Sequence, residues 1–207
     1  MNMKRLLLIL TAIAGCLGYA CAASPDAAAI LAKMKAKINA SPSLEAVFTI
    51  NGGEGPVEGN SVIAGSKYTM QTPQLRVWFD GRTQWTYLLN TGEVSITEPD
   101  ASEQMASNPF AILSAHSDYY KSKRLSDSQG RYRVLLTPVG SASGIEKITL
   151  FINRATSLPS AIVINFDDGK SIEVVIDKIS TGAAKPASAF RFDRAKFPTV
   201  QEIIDLR

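Results

Sequence analysis

Asp80-Gly81-Arg82-Thr83-Gln84-Trp85-Thr86-Tyr87 reads as a tight turn that opens onto a strand. Asp-Gly is a pair that tolerates the positive φ of a two-residue hairpin turn, and the run that follows is rich in Thr and aromatic residues. The same habit repeats on both sides. Strand-like runs are expected at Asn60–Gly65, Lys67–Thr72, Leu75–Phe79, Thr83–Leu88 and Glu93–Thr97, with Thr91-Gly92 as a second turn. Downstream the runs are Arg131–Thr137, Lys147–Asn153, Ala161–Phe166 and Ser171–Lys178, the last two joined by Asp168-Gly169, with a short strand at Phe190–Asp193 to close the set.

Upstream, Leu44, Ala46, Phe48 and Ile50 alternate with Glu45, Val47 and Thr49, the period of a strand with one buried face. Before it the period is helical. Ile30, Leu31, Met34 and Ile38 share a face, with Ser24 as the expected N-cap, Pro25 at the first helical position and Asp26 beside the positive end of the dipole. Ser41-Pro42 ends the helix near Asn39. A second helical turn is expected at Asn108–Leu113, capped by Asn108, and the stretch to Tyr120 remains helix-compatible. The segments Asn51–Gly59 and Gly140–Gly144 read as surface loops. The fold class is therefore mainly β with an α cover: an antiparallel meander of about eleven strands, preceded by one helix and split by another.

At 207 residues, 45% of them hydrophobic and 20% charged, the chain is an ordinary globular one. Lys4-Arg5, the apolar run Leu6–Ile13 and the small residues Ala20, Cys21, Ala22 and Ala23 have the layout of an export signal over residues 1–23, leaving one domain at 24–207. Ala20-Cys21-Ala22 suits cleavage to a soluble periplasmic protein. Ile13-Ala14-Gly15-Cys16 suits lipoprotein processing, with the chain anchored through an acylated Cys16. Because Cys16 and Cys21 are the only cysteines, the domain is expected to hold no disulfide and no sulfur-based metal site. The formal charge of +3 includes Lys4 and Arg5, so the processed chain has no charge-driven reason to seek nucleic acid. Lys121, Lys123 and Arg124 form the one compact basic run and read as a solvated face.

The catalytic inventory is poor. His116 is the single histidine, Gly140-Ser141-Ala142-Ser143-Gly144 has alanine where a nucleophile elbow needs serine, and Glu98, Asp100 and Glu103 read as a solvated acidic loop. No enzyme activity and no cofactor or metal are expected. What stands out is apolar: Leu44, Phe48, Met70, Trp78, Trp85, Tyr87, Val134, Leu150 and Val174 are the candidate lining residues. Either they fill a conventional core, or they line an open or half-open barrel under a helical cover, and composition does not choose between the two.

The stretch from Asp80 to Tyr87 resembles the Asp-Gly-Lys-Thr-x-Trp-x-Tyr hairpin of LolA-like outer-membrane lipoprotein carriers. Other features fall in that family's order: the leading helix, the strand Ser43–Thr49, the Pro-Phe segment Asn108-Pro109-Phe110-Ala111-Ile112-Leu113, the strand Tyr132–Pro138 and the ending Phe190-Arg191-Phe192-Asp193. The resemblance implies an incomplete antiparallel β-barrel whose concave apolar face is covered by helices. It implies a periplasmic monomer that takes acylated lipoproteins from an inner-membrane ABC-type extraction complex and hands them to an outer-membrane acceptor. Some relatives of the fold are instead anchored acceptors, other lipid binders or envelope sensors. By motif position the cavity and lid residues are Phe48, Trp85, Tyr87, Phe110, Ile112 and Leu113, to which the alternation adds Leu44, Met70 and Trp78 as lining. The chain departs from well-known members at Gly65-Ser66-Lys67, where they carry an Arg-Pro that ties barrel to lid; Lys67 stands in its place.

Overall fold

A computed structural model of the chain describes residues 24–53, 55–100, 103–104, 109–113, 119–140 and 144–207. The expected signal segment, Cys16, Cys21, Asn108, His116 and Ser141–Ser143 lie outside the described residues. Among the described residues, the α-helix α1 (Ala27–Asn39) precedes twelve strands in one sheet. They are β1 (Ser43–Asn51), β2 (Val57–Ala64), β3 (Lys67–Gln71), β4 (Leu75–Phe79), β5 (Gln84–Leu88), β6 (Glu93–Thr97), β7 (Tyr120–Ser128), β8 (Arg131–Pro138), β9 (Ile145–Asn153), β10 (Pro159–Phe166), β11 (Ser171–Gly182) and β12 (Glu202–Asp205).

The sheet runs β12-β6-β5-β4-β3-β2-β1-β11-β10-β9-β8-β7 and does not close, so the expected mainly β, incomplete-barrel architecture is what the chain adopts. Two meanders, β1–β6 and β7–β11, meet at one long antiparallel seam between β1 and β11, while β12 adds to β6 in parallel. The hairpin turns sit where the sequence places them: Gly81 and Gly92 have φ of 102° and 73°, a region side-chain-bearing residues avoid.

Asp26, not Ser24, caps α1. Its carboxylate accepts from the Ala29 amide at 2.8 Å, because the Ser24 hydroxyl and the Pro25 carbonyl are both taken by the Arg124 guanidinium of β7. The helix stops at Asn39 as expected and buries Ala27, Ile30, Met34 and Ile38. Those side chains lie on the concave face over Leu44, Phe48, Met70, Val134, Leu150 and Val174 in one continuous core. Full burial of a side chain the size of Ile or Met stabilises by roughly 1.5–3 kcal/mol, so apolar contact dominates the docking of α1.

Three further expectations are corrected. Phe190–Asp193 is no strand: Ala187–Phe190 forms a 3₁₀ turn, and Asp193 caps a second one at Arg194–Lys196 by accepting from the Ala195 amide. Two strands were not expected: β7, whose Lys121 and Lys123 are exposed as the solvated-face reading has them, and β12. The expected loop at 51–59 is shorter, since Val57–Gly59 already pair in β2.

Candidate functional site

On the concave side, a groove of about 350 Å³ opens between α1, the 3₁₀ turn Ala111–Leu113 and strands β7 and β8. Leu31 and Met34 form one wall, Ile112 and Leu113 the end, and Tyr120 and Leu136 the floor, with Lys35 and Ser122 as the polar members. Burial pushes the Tyr120 hydroxyl up to about 12, so it stays uncharged at physiological pH and the floor carries no ionised group from it. The volume is at the small end of ligand sites, which run from about 300 to 1,000 Å³. A long apolar chain fits fully only if the cover shifts.

The cover segment is seated on the sheet through Phe110. Its ring meets Phe48 edge-on at 5.1 Å between centroids, a geometry worth about 0.5–1.5 kcal/mol beyond burial. Phe48 in turn lies across its cross-strand partner Gly59, where a Cβ would run directly into the ring. Phe110, Ile112 and Leu113 are all buried. Lys67 lines a small crevice with Gln104, Phe110 and Ala111, yet forms no ion pair among the described residues. It borders the cover segment.

The predicted site residues separate into two groups. Leu44, Phe48, Met70, Phe110, Ile112 and Leu113 come together in the concave core. Trp78, Trp85 and Tyr87 do not join them. Successive strand residues point to opposite faces, and Val77 and Phe79 take the concave side, so Trp78 takes the convex one. Trp78 pairs directly with Trp85, and both pack with Tyr87, Val94 and Val200 in a second cluster.

A C-terminal strap, residues 183–201, closes over that second cluster. Phe197 lies 5.1 Å from Trp78 and 5.8 Å from Tyr87, and Phe192 lies 5.6 Å from Trp78. Tyr87 and Thr199 hydroxyls share a 2.9 Å hydrogen bond, and the Gln201 amide donates to the Gly92 carbonyl at 2.7 Å. The Arg191 guanidinium pairs with Asp80 at 2.9 Å. Burial alone would raise the Asp80 pKa, but the Thr83 and Arg82 amides and Arg191 overturn that and leave it lowered.

Sequence reasoning missed Leu31, Tyr120 and Leu136 as groove residues. Leu31 sits on the expected apolar face of α1, but Tyr120 begins a strand that sequence periodicity did not mark. Of the acidic trio, Glu98 pairs with Arg82 at 3.1 Å, while Asp100 and Glu103 bond each other's amides in an exposed turn. Among the described residues no three His, Cys, Asp or Glu side chains converge as a metal site, and no helix is long and apolar enough to cross a membrane.

Comparison with known proteins bears on this groove. An outer-membrane lipoprotein carrier protein of Dechloromonas aromatica (strain RCB) is 29% identical over 123 residues, a match spanning 58% of this chain and 57% of that protein. The fold resembles an uncharacterized conserved protein from Thermus thermophilus with a TM-score of 0.57 at 11% identity, covering 85% of this chain and 96% of the other. It also resembles a DUF1329 family protein from Desulfovibrio piger ATCC 29098, with a TM-score of 0.51 at 9% identity, over 84% of this chain and 100% of that one. Residues 18–169 match the family described as outer membrane lipoprotein carrier protein LolA. That match runs from before α1 through β10, taking in the whole groove and its cover, and the chain belongs to the LolA outer membrane lipoprotein carrier family.

Proposed function

We propose that the chain is a non-enzymatic carrier of the bacterial periplasm that shelters the acyl chains of lipoproteins in the groove beneath α1. It would accept them from an inner-membrane ABC-type complex and release them to an outer-membrane acceptor. The observation that carries the reading is the groove itself: an almost wholly apolar slot bounded by a helix and a single 3₁₀ turn, in a chain of this family. Each acyl CH₂ withdrawn from water contributes about 0.8 kcal/mol, so a slot of this chemistry binds lipid without any reactive group. Because the groove is smaller than a full acyl chain requires, loading involves displacement of the Ala111–Leu113 turn, and the Phe48–Phe110 contact is what resists it.

The test is native mass spectrometry of protein purified from the envelope, paired with titration of a fluorescent acylated peptide. The expected result is a releasable acylated ligand, and Ile112→Asp weakening peptide binding at least tenfold while Trp85→Ala leaves it unchanged. Equal weakening by both variants, or none by either, rejects this groove as the cargo site. Intact mass after denaturation separates the soluble carrier from the alternative, an acceptor anchored in the outer membrane: a diacylglyceryl mass on Cys16 establishes the anchored form.

A further inference from the structure

A second pocket, of about 300 Å³, lies on the convex face, between β2–β4 and the C-terminal strap. Asn60, Gln71 and Arg76 form its floor. They are successive cross-strand partners, Asn60 with Gln71 and Gln71 with Arg76, so all three side chains leave the same face of the sheet in one row. Trp78 and Phe197 wall the pocket.

The Arg76 guanidinium is singular among the cations near it. Lys185 at the rim is neutralised by Glu45 at 2.7 Å, and Arg191 is held by Asp80. Arg76 has no ion pair among the described residues, and its Nε is shielded from solvent with no hydrogen-bond partner. The guanidinium instead lies against the Phe197 ring, with 5.4 Å from its carbon to the centroid. An aromatic face attracts the cation but accepts no hydrogen bond in the plane of the fork.

We propose that this pocket binds a small organic carboxylate. The carboxylate would meet the outer Nη groups of Arg76 in the bidentate manner that guanidinium and carboxylate share. The amides of Asn60 and Gln71 supply further donors beside it, and Trp78 and Phe197, in edge contact with each other, offer one apolar wall to the body of the ligand. The site shares no wall with the acyl groove, since it uses the opposite face of the sheet, and it stands whether or not that groove takes lipid.

The test uses 4-fluorobenzoate as the probe against the full chain, read by fluorine NMR line broadening and by the indole N–H resonance of Trp78. Saturable binding that shifts Trp78 is expected, with neutral 4-fluorobenzyl alcohol at least tenfold weaker. Arg76→Gln is expected to weaken the benzoate at least tenfold and Arg76→Lys less, because lysine keeps the charge and loses the fork. Should Arg76→Gln fail to fold, Gln71→Glu at an exposed position supplies Arg76 with an internal carboxylate and should abolish probe binding. Absence of binding, equal affinity for the alcohol, or unchanged affinity in Arg76→Gln or Gln71→Glu overturns the proposal.

Discussion

The two faces of the sheet are covered in different ways. On the concave side, α1 and the Ala111–Leu113 turn press apolar side chains into an apolar core, with Arg124 holding the start of the helix through Ser24 and Pro25. On the convex side, the strap is fixed at defined points: a hydroxyl pair at Tyr87 and Thr199, an ion pair at Asp80 and Arg191, a backbone bond at Gly92, and finally a strand pairing through β12. Apolar contact is non-directional, so the apolar share of that seating constrains position less than a directional bond does. The contrast sets a cover seated mainly by apolar burial beside one fixed at defined polar points.

The harshest way to break the contrast is to remove its inner anchor. Phe48→Ala is expected to destabilise the fold by about 3–5 kcal/mol in urea unfolding, since the ring is fully buried and leaves a cavity. A loss near zero would mean the concave core is looser than the packing implies. Gly59→Ala should cost less, about 1–3 kcal/mol, by pushing a methyl into that same ring from below. It should also weaken the Phe48–Phe110 seat and speed acyl-peptide association, which stopped-flow fluorescence can read.

The outer cover is probed more gently. Tyr87→Phe removes one hydroxyl pair and should cost about 0.5–1.5 kcal/mol while leaving acyl binding untouched; a change in acyl affinity would erase the distinction between the two faces. The smallest effect is in acid. The Asp80 pKa is lowered in the folded chain, so its contribution is complete above the unfolded value, about 3.9, and fades as pH falls through the folded one. The stability difference between the parent chain and Asp80→Asn should therefore shrink as pH falls below about 4. A difference that persists unchanged there would assign the effect to geometry rather than charge.

Interior strands could be read from the sequence because both their neighbours impose alternation. Leu75–Phe79 and Glu93–Thr97 come out with their observed bounds. The two strands that escaped notice, β7 and β12, are the edges of the sheet. An edge is paired on one side only and protected by charge, so Lys121, Lys123 and Arg124 hide the strand that carries them. The grouping of the candidate residues was legible only in part. Phe48 and Phe110 fell correctly to one core, but β4 is apolar on both faces, with Val77 and Phe79 on one and Trp78 on the other. Alternation alone says that these residues differ; only the pairing register says which face holds the groove.

The seam between β1 and β11 has a kinetic consequence. Each meander is made of neighbours in sequence, whereas the seam joins residues as distant as Ser43 and Ala183, whose hydroxyl and carbonyl bond across 140 positions. Local hairpins close within about 1–10 μs, and pairings between remote segments wait on the entropy of a large loop. The halves would then assemble early and search for each other late, with β1 and β11 exposed as unpaired edges during the interval. During that interval both edges are open to other strands, which makes the seam the place where aggregation would begin.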